Sequence, residues 1–103
     1  MQIESEKTEN GVCFTVRGSL SGSEHSTKQL FEAVSASLDS NPGTIWVDIG
    51  HVAYIDSMSI GLLVGILLKC QEKDIPFRLQ NVPRHLADVL DNVKLKKMFP
   101  DLY

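Results

Sequence analysis

The chain has 103 residues, of which 43% are hydrophobic and 22% charged, with a formal net charge of -3. That length holds one domain around one core, and that composition belongs to a folded chain rather than a disordered one. The net charge of -3 gives no reason to expect a nucleic-acid partner, because phosphate neutralisation needs a concentrated basic surface. The longest apolar stretch, Ile60 to Leu68, is too short to span a bilayer. With no charged-then-apolar leader read at the start, no direct membrane insertion is expected. Cys13 and Cys70 form no spacing motif and read as free, buried thiols of a reducing cytosol. The cytoplasm is the expected address.

Gln2 to Glu6 and Val12 to Arg17 read as strands flanking Asn10-Gly11, a dipeptide suited to the positive backbone angles of a tight hairpin turn. In the second strand Val12, Phe14 and Val16 alternate with Cys13, Thr15 and Arg17, giving one apolar and one mixed face. Ser21-Gly22-Ser23-Glu24 has the form of a capping box, with Ser21 as the cap. Behind it Leu30, Phe31, Val34 and Leu38 recur at helical spacing until Asn41-Pro42-Gly43 ends the helix. Thr44 to Ile49 is a β-rich run, and a short connection leads from it to Asp56-Ser57. There a strongly apolar helix begins and runs to about Glu72. Phe77 to Gln80 reads as a short strand, and Pro83 begins a third helix carrying Leu86, Val89 and Leu90. An amphipathic turn from Leu95 to Phe99 stops at Pro100.

The order β-β-α-β-α-β-α-α predicts a single α/β domain over residues 1-103. Its four-stranded mixed sheet has the first strand antiparallel by hairpin and the rest parallel, with about four helices and right-handed crossovers. In open sheets of this kind ligands and partners gather at the carboxyl ends of the strands. Two segments are expected to meet at that rim, the Asp56-Ser57 junction and the run Gly18 to Ser23. The junction places Asp56, Ser57 and Ser59 where the first helical amides lack partners and the dipole attracts anions. Ser57 there is either a plain cap, with Asp56 as the alternative cap, or the carrier of a phosphate.

Along the same helix Leu63, Ile66, Leu67 and Cys70 form the inward stripe, with Gly61, Val64, Gly65, Leu68 and Glu72 roughly opposite. Each glycine costs helix stability by about 0.8–1 kcal/mol relative to alanine. A groove at Gly61 and Gly65, edged by Val64 and Leu68, lets a partner approach closely, unless the third helix or the C-terminal turn buries that side. Catalytic machinery is not read. His51, Asp56 and Ser57 lack a Gly-x-Ser-x-Gly elbow, and neighbours this close in sequence rarely reach triad geometry. His25, His51 and His85 have no ligand spacing, so no metal is expected, and without a phosphate-cradling loop no nucleotide cofactor is expected either. Trp46 and Tyr54 flank the junction as packing residues.

The element order together with Asp56-Ser57-Met58-Ser59-Ile60-Gly61 resembles the STAS domain, the fold of sulfate-transporter modules and anti-sigma factor antagonists. In the antagonists the matching run is Asp-Ser-Ser/Thr-Gly-Leu-Gly. Asp56, Ser57 and Gly61 match in register, Ile60 replaces one apolar residue by another, and Met58 and Ser59 depart. Val16-Arg17-Gly18-Ser19-Leu20-Ser21 resembles the family's Gly-x-Leu-Asp, with Ser21 in place of the aspartate. The resemblance implies phosphorylation at Ser57, with Asp56, Ser59 and Ser21 supporting the switch loop. It implies two partners, a serine-kinase anti-sigma factor bound while Ser57 is unmodified and a metal-dependent serine phosphatase. The alternative it implies is a stand-alone subunit of a membrane transporter, docked on a cytoplasmic ATPase.

Overall fold

β1 (Gln2–Thr8) and β2 (Gly11–Leu20) form an antiparallel hairpin, and β2 then pairs in parallel with β3 (Thr44–Ile55), which pairs in parallel with β4 (Phe77–Gln80). The spatial order of the sheet is β1-β2-β3-β4. α1 (His25–Leu38) connects β2 to β3, and α2 (Ser57–Glu72) connects β3 to β4. Two like-handed crossovers stepping in one direction put both helices on one side of the sheet. α3 (Arg84–Asn92) and α4 (Leu95–Met98) complete the chain. The structure, a computed structural model, describes residues 2–103.

Period-two alternation decides which face of the sheet is covered. Phe14, Val16, Ile45, Val47, Ile49, Phe77 and Leu79 are buried, packed with Leu30, Val34 and Leu38 of α1, Leu63, Ile66 and Leu67 of α2, and Leu86 and Leu90 of α3. Their neighbours Cys13, Thr15, Trp46 and Arg78 face the other way and stay half-buried. Cys13 is therefore not the buried thiol expected of it, while Cys70 is. Trp46 is likewise half-buried on this second face rather than in the core. The β1 edge is exposed along almost its whole length. At the opposite edge Leu79 N donates to Leu102 O at 2.6 Å, so the C-terminal segment closes the β4 side.

Three local expectations give way to longer-range contacts. The hairpin turn is Glu9-Asn10, between the paired residues Thr8 and Gly11, and neither Asn10 nor Gly11 has a positive φ. Gly11 is required for another reason. A Cβ there would lie 1.8 Å from Thr44 O, because β2 and β3 start side by side and Thr44 N donates to Asn10 O at 2.9 Å. Secondly, Ser21 to Glu24 forms no capping box: Glu24 is itself the N-cap of α1, with no side-chain cap bond. Thirdly, β3 does not stop at Ile49 but pairs with β2 as far as Ile55. Between Thr15 and Arg17, and again between Gly18 and Leu20, β2 advances two residues while β3 advances three. These bulges break the period-two pattern by which a strand is read, and they bend the strand towards its carboxyl end. Within the first irregular stretch the Asp48 carboxylate accepts from Gly50 N at 2.9 Å and from Asn81 Nδ2 at 2.8 Å.

Candidate functional site

The carboxyl ends of β2 and β3 deliver Leu20 and Ile55 as paired neighbours, so the residues that follow each strand must lie together. Ser21 and Gly22 come from one, Asp56 and Ser57 from the other. Asp56 is the N-cap of α2, with extended backbone (φ -113°, ψ 173°). Its Oδ1 accepts from Ser59 N at 2.8 Å, and Ser59 Oγ in return accepts from Asp56 N at 3.1 Å. Ser59 Oγ also donates to Asp56 O at 2.9 Å. This is a reciprocal capping box, and it satisfies two amides that the helix cannot satisfy internally.

The same carboxylate ties the second loop to the helix. Gly22 N donates to Asp56 Oδ1 at 3.0 Å, and Ser21 Oγ donates to Oδ2 at 3.1 Å. Ser21 Oγ also lies 3.0 Å from Ser23 Oγ. Ser21 is thus a buried polar residue that serves α2 rather than α1. Gly22 lies flat on the first turn, where a Cβ would come within 2.1 Å of Met58 Cβ and 2.7 Å of Met58 C. A side chain at position 22 would push the two loops apart. The backbone amides of Ser59 and Gly22, with the Ser21 hydroxyl, all favour the ionised form and hold the Asp56 carboxyl below its ordinary value. Asp56 therefore carries a fixed negative charge at neutral pH.

Ser57 stands apart from this network. It is the first residue of α2 and is exposed, and the cap bonds run through Asp56 and Ser59. Of the two ways of reading the junction, the plain-cap role falls to Asp56. Ser59 is fully buried (0% exposed), so its hydroxyl is structural and out of reach of a modifying enzyme. His51 sits back along β3, opposite Arg17. At a rise of ~3.3 Å per residue it is far beyond bonding distance of Ser57, which leaves no triad. Among the described residues no cluster of three or more His, Cys, Asp or Glu is placed to hold a metal ion.

The outer side of α2 departs from expectation in its neighbours. Gly61, Gly65 and Leu68 are exposed and Val64 is half-buried, so neither α3 nor the C-terminal turn covers the glycines. A Cβ at Gly61 or Gly65 would meet nothing within 4 Å. The groove there, of about 400 Å³, is formed with α1, not with Val64 and Leu68. Phe31, Leu62 and Ile66 give it an apolar lining, and Lys28, Glu32 and Lys69 also border it. Lys69 Nζ donates to Ser35 Oγ at 3.3 Å across the helix pair. The sequence alone hid this wall because α1 meets α2 only through the crossover geometry. Tyr54, assigned a packing role from the sequence, is 49% exposed.

The chain belongs to the STAS domain family, whose model matches residues 2–103. It is similar in structure to an anti-sigma factor antagonist from Mycobacterium paratuberculosis, at a TM-score of 0.80 and 18% identity over 99% of this chain and 84% of that one. It is also similar to the Bacillus cell fate determinant SpoIIAA in its phosphorylated form. There the TM-score is 0.73 and the identity 19%, over 99% of this chain and 89% of the other. A sulfate transporter family protein from Wolinella succinogenes superposes at 0.68, with 15% identity over 84% and 68% of the two chains. Among curated proteins no sequence matches significantly.

Proposed function

We propose that this chain is a phosphorylation-controlled protein-binding switch, an anti-sigma factor antagonist whose phosphate acceptor is Ser57. The observation that carries the reading is the exposed Ser57 hydroxyl, excluded from a cap that Asp56 and Ser59 complete without it. Family membership and the likeness to two antagonists support it. With Ser57 unmodified the chain binds a serine-kinase anti-sigma factor in the cytoplasm. In the kinase's cleft Ser57 Oγ attacks the γ-phosphorus of ATP. The new O–P bond forms as the bond to the ADP oxygen breaks, and the hydroxyl proton leaves to the kinase's base. A metal-dependent serine phosphatase later hydrolyses the ester. The chemistry belongs to those partners, and this chain supplies a hydroxyl on a rigid support.

A phosphate brings about -1.5 to -2 charges. The first amides of a helix have no internal partners and accept an anion, so the fold tolerates the group. The partner surface does not, because the phosphate adds to the fixed charge of Asp56 in a desolvated contact. Incubation with the serine kinase and ATP is expected to place one phosphate, located by mass spectrometry, on Ser57, and Ser57→Ala should abolish it. A phosphate mapped to Ser21 or Ser23 instead would overturn the assignment. Failure of any serine kinase to modify the chain would favour the transporter-subunit reading.

The groove that Gly61 and Gly65 form with α1, together with the neighbouring Val64 and Leu68 of α2, is the second part of the proposed partner surface. Gly65→Leu meets open space and removes a glycine from a helix interior, so the free domain should gain stability by up to about 1 kcal/mol. Partner affinity should fall, since overpacking a complementary contact costs about 1–3 kcal/mol. Denaturant titration and calorimetric binding on the same variant separate the two effects. Unchanged affinity would confine the contact to the Ser57 rim.

A further inference from the structure

Ser57 is small, and so are Ser21 and Gly22 of the loop that reaches Asp56; a hydroxyl on such a surface is chemically like many others. Met58 is different. It is the residue next to Ser57 on α2 and is 58% exposed. Helix geometry places its Cβ about 5 Å from that of Ser57, a quarter-turn around the axis. Its base is held fast, because the Gly22 backbone lies against Met58 and Ser59 on the inner side and Ser59 is locked into the cap. The rest of the side chain therefore stands out from a rigid platform into solvent. An enzyme that brings a phosphoryl donor in line with Ser57 Oγ must cover this adjoining surface, and a long thioether in the way must be either accommodated or expelled.

We infer that Met58 is the specificity anchor of this surface: the kinase acting on Ser57 has an apolar pocket beside its donor cleft that takes the Met58 side chain. The inference rests on Ser57 being the acceptor. The physical basis is that binding energy at interfaces concentrates in a few side chains seated in desolvated pockets, with near-neutral contacts around them. A thioether is unbranched and polarisable, so it fills such a pocket at little cost in strain. A hydroxyl at this position would reach less far and would carry a polar group into the pocket unpaired.

The test uses the kinase defined by its activity, the one that transfers the γ-phosphoryl of ATP to Ser57 and not to Ser57→Ala. Met58→Ser is expected to raise the KM for this chain by about tenfold or more, as loss of an interface anchor does. Its kcat should stay within about twofold, because Met58 does not touch the reacting atoms. Met58→Leu should restore KM to within about threefold, since isosteric apolar swaps are well tolerated. The thermal midpoints of both variants should match the wild type, as for exposed positions generally. An unchanged KM in Met58→Ser overturns the anchor and leaves Ser57 as acceptor. If no kinase modifies Ser57 at all, both the anchor and the function it rests on fall together.

Discussion

Ser57→Asp is expected to lose partner binding by about ten- to a hundredfold, while Ser57→Ala binds as the unmodified chain does. The carboxylate adds one negative charge beside Asp56, whose own charge is fixed by the amides of Ser59 and Gly22. Like charges brought together across a desolvated interface cost several kcal/mol. A single aspartate charge, without the tetrahedral oxygens of a phosphate, realises part of that. The fold should not register the change. Acidic residues are favoured in the first turn of a helix, and Ser57 takes no part in the cap. Calorimetric titration with the kinase, together with thermal melts, decides the matter. Equal affinities for Ser57→Asp and Ser57→Ala would remove electrostatics from the switch, and a large loss of stability in Ser57→Ala would return Ser57 to the cap.

Asp56→Ala should produce the largest loss of stability of any single change in this region, a fall in thermal midpoint of about 5–10 °C on the scale of a domain this size. It frees the amides of Ser59 and Gly22 and the hydroxyl of Ser21 at one stroke. Asp56→Asn keeps an N-cap oxygen and should lose much less, because asparagine and aspartate cap about equally well. The two variants also differ from the wild type in acid. The folded-state pKa of Asp56 lies below its ordinary value, so the folded protein binds fewer protons there than the unfolded chain. Its contribution to stability is complete above the unfolded pKa, about 3.9, and is lost as pH falls through the lowered folded value. Denaturation midpoints measured from about pH 7 down to 3 should therefore drop less in Asp56→Asn than in the wild type. Parallel curves would mean that Asp56 is not the group whose protonation loosens the site.

What could be read in the residues was what short-range periodicity determines. The helical spacing of Leu63, Ile66, Leu67 and Cys70 identifies the inward stripe of α2, and all four are buried. The alternation in Val12 to Arg17 identifies the two faces of β2, and the order of elements leads to the sheet order. The losses came where two distant segments share one physical requirement. Gly11 stands where it does for the sake of Thr44, and Ser21 for the sake of Asp56. Neither dependence leaves a trace in local sequence, and in both cases a plausible local motif, a turn dipeptide or a capping box, occupied the same residues. The end of β3 is hidden in the sequence because its bulges shift the apolar residue from odd positions, as at Ile49, to Val52. Asp56 and Ser57 could be placed at a strand-to-helix junction, but the donors that Asp56 takes from the β2 loop, Ser21 and Gly22, leave no mark around it.

The free edge of the sheet has a consequence for self-assembly. β1 exposes unpaired amides and carbonyls, the template on which sheets extend into neighbouring molecules. Glu4 and Glu6 lie on the same side of the strand, paired with Thr15 and Cys13. A second copy laid antiparallel along β1 must match residues of the same side, which restricts the central registers to three. Centred on Ser5, each Glu4 meets a Glu6. Centred on Glu4 or on Glu6, that glutamate meets itself. Like charges directly opposite across strands are destabilising, so every central register of β1 with its own copy carries a repulsive pair. With the β4 side closed by Leu102, the sheet is guarded at both ends against growing into a polymer of itself, and a strand added at β1 would have to bring neutral or basic residues opposite the two glutamates.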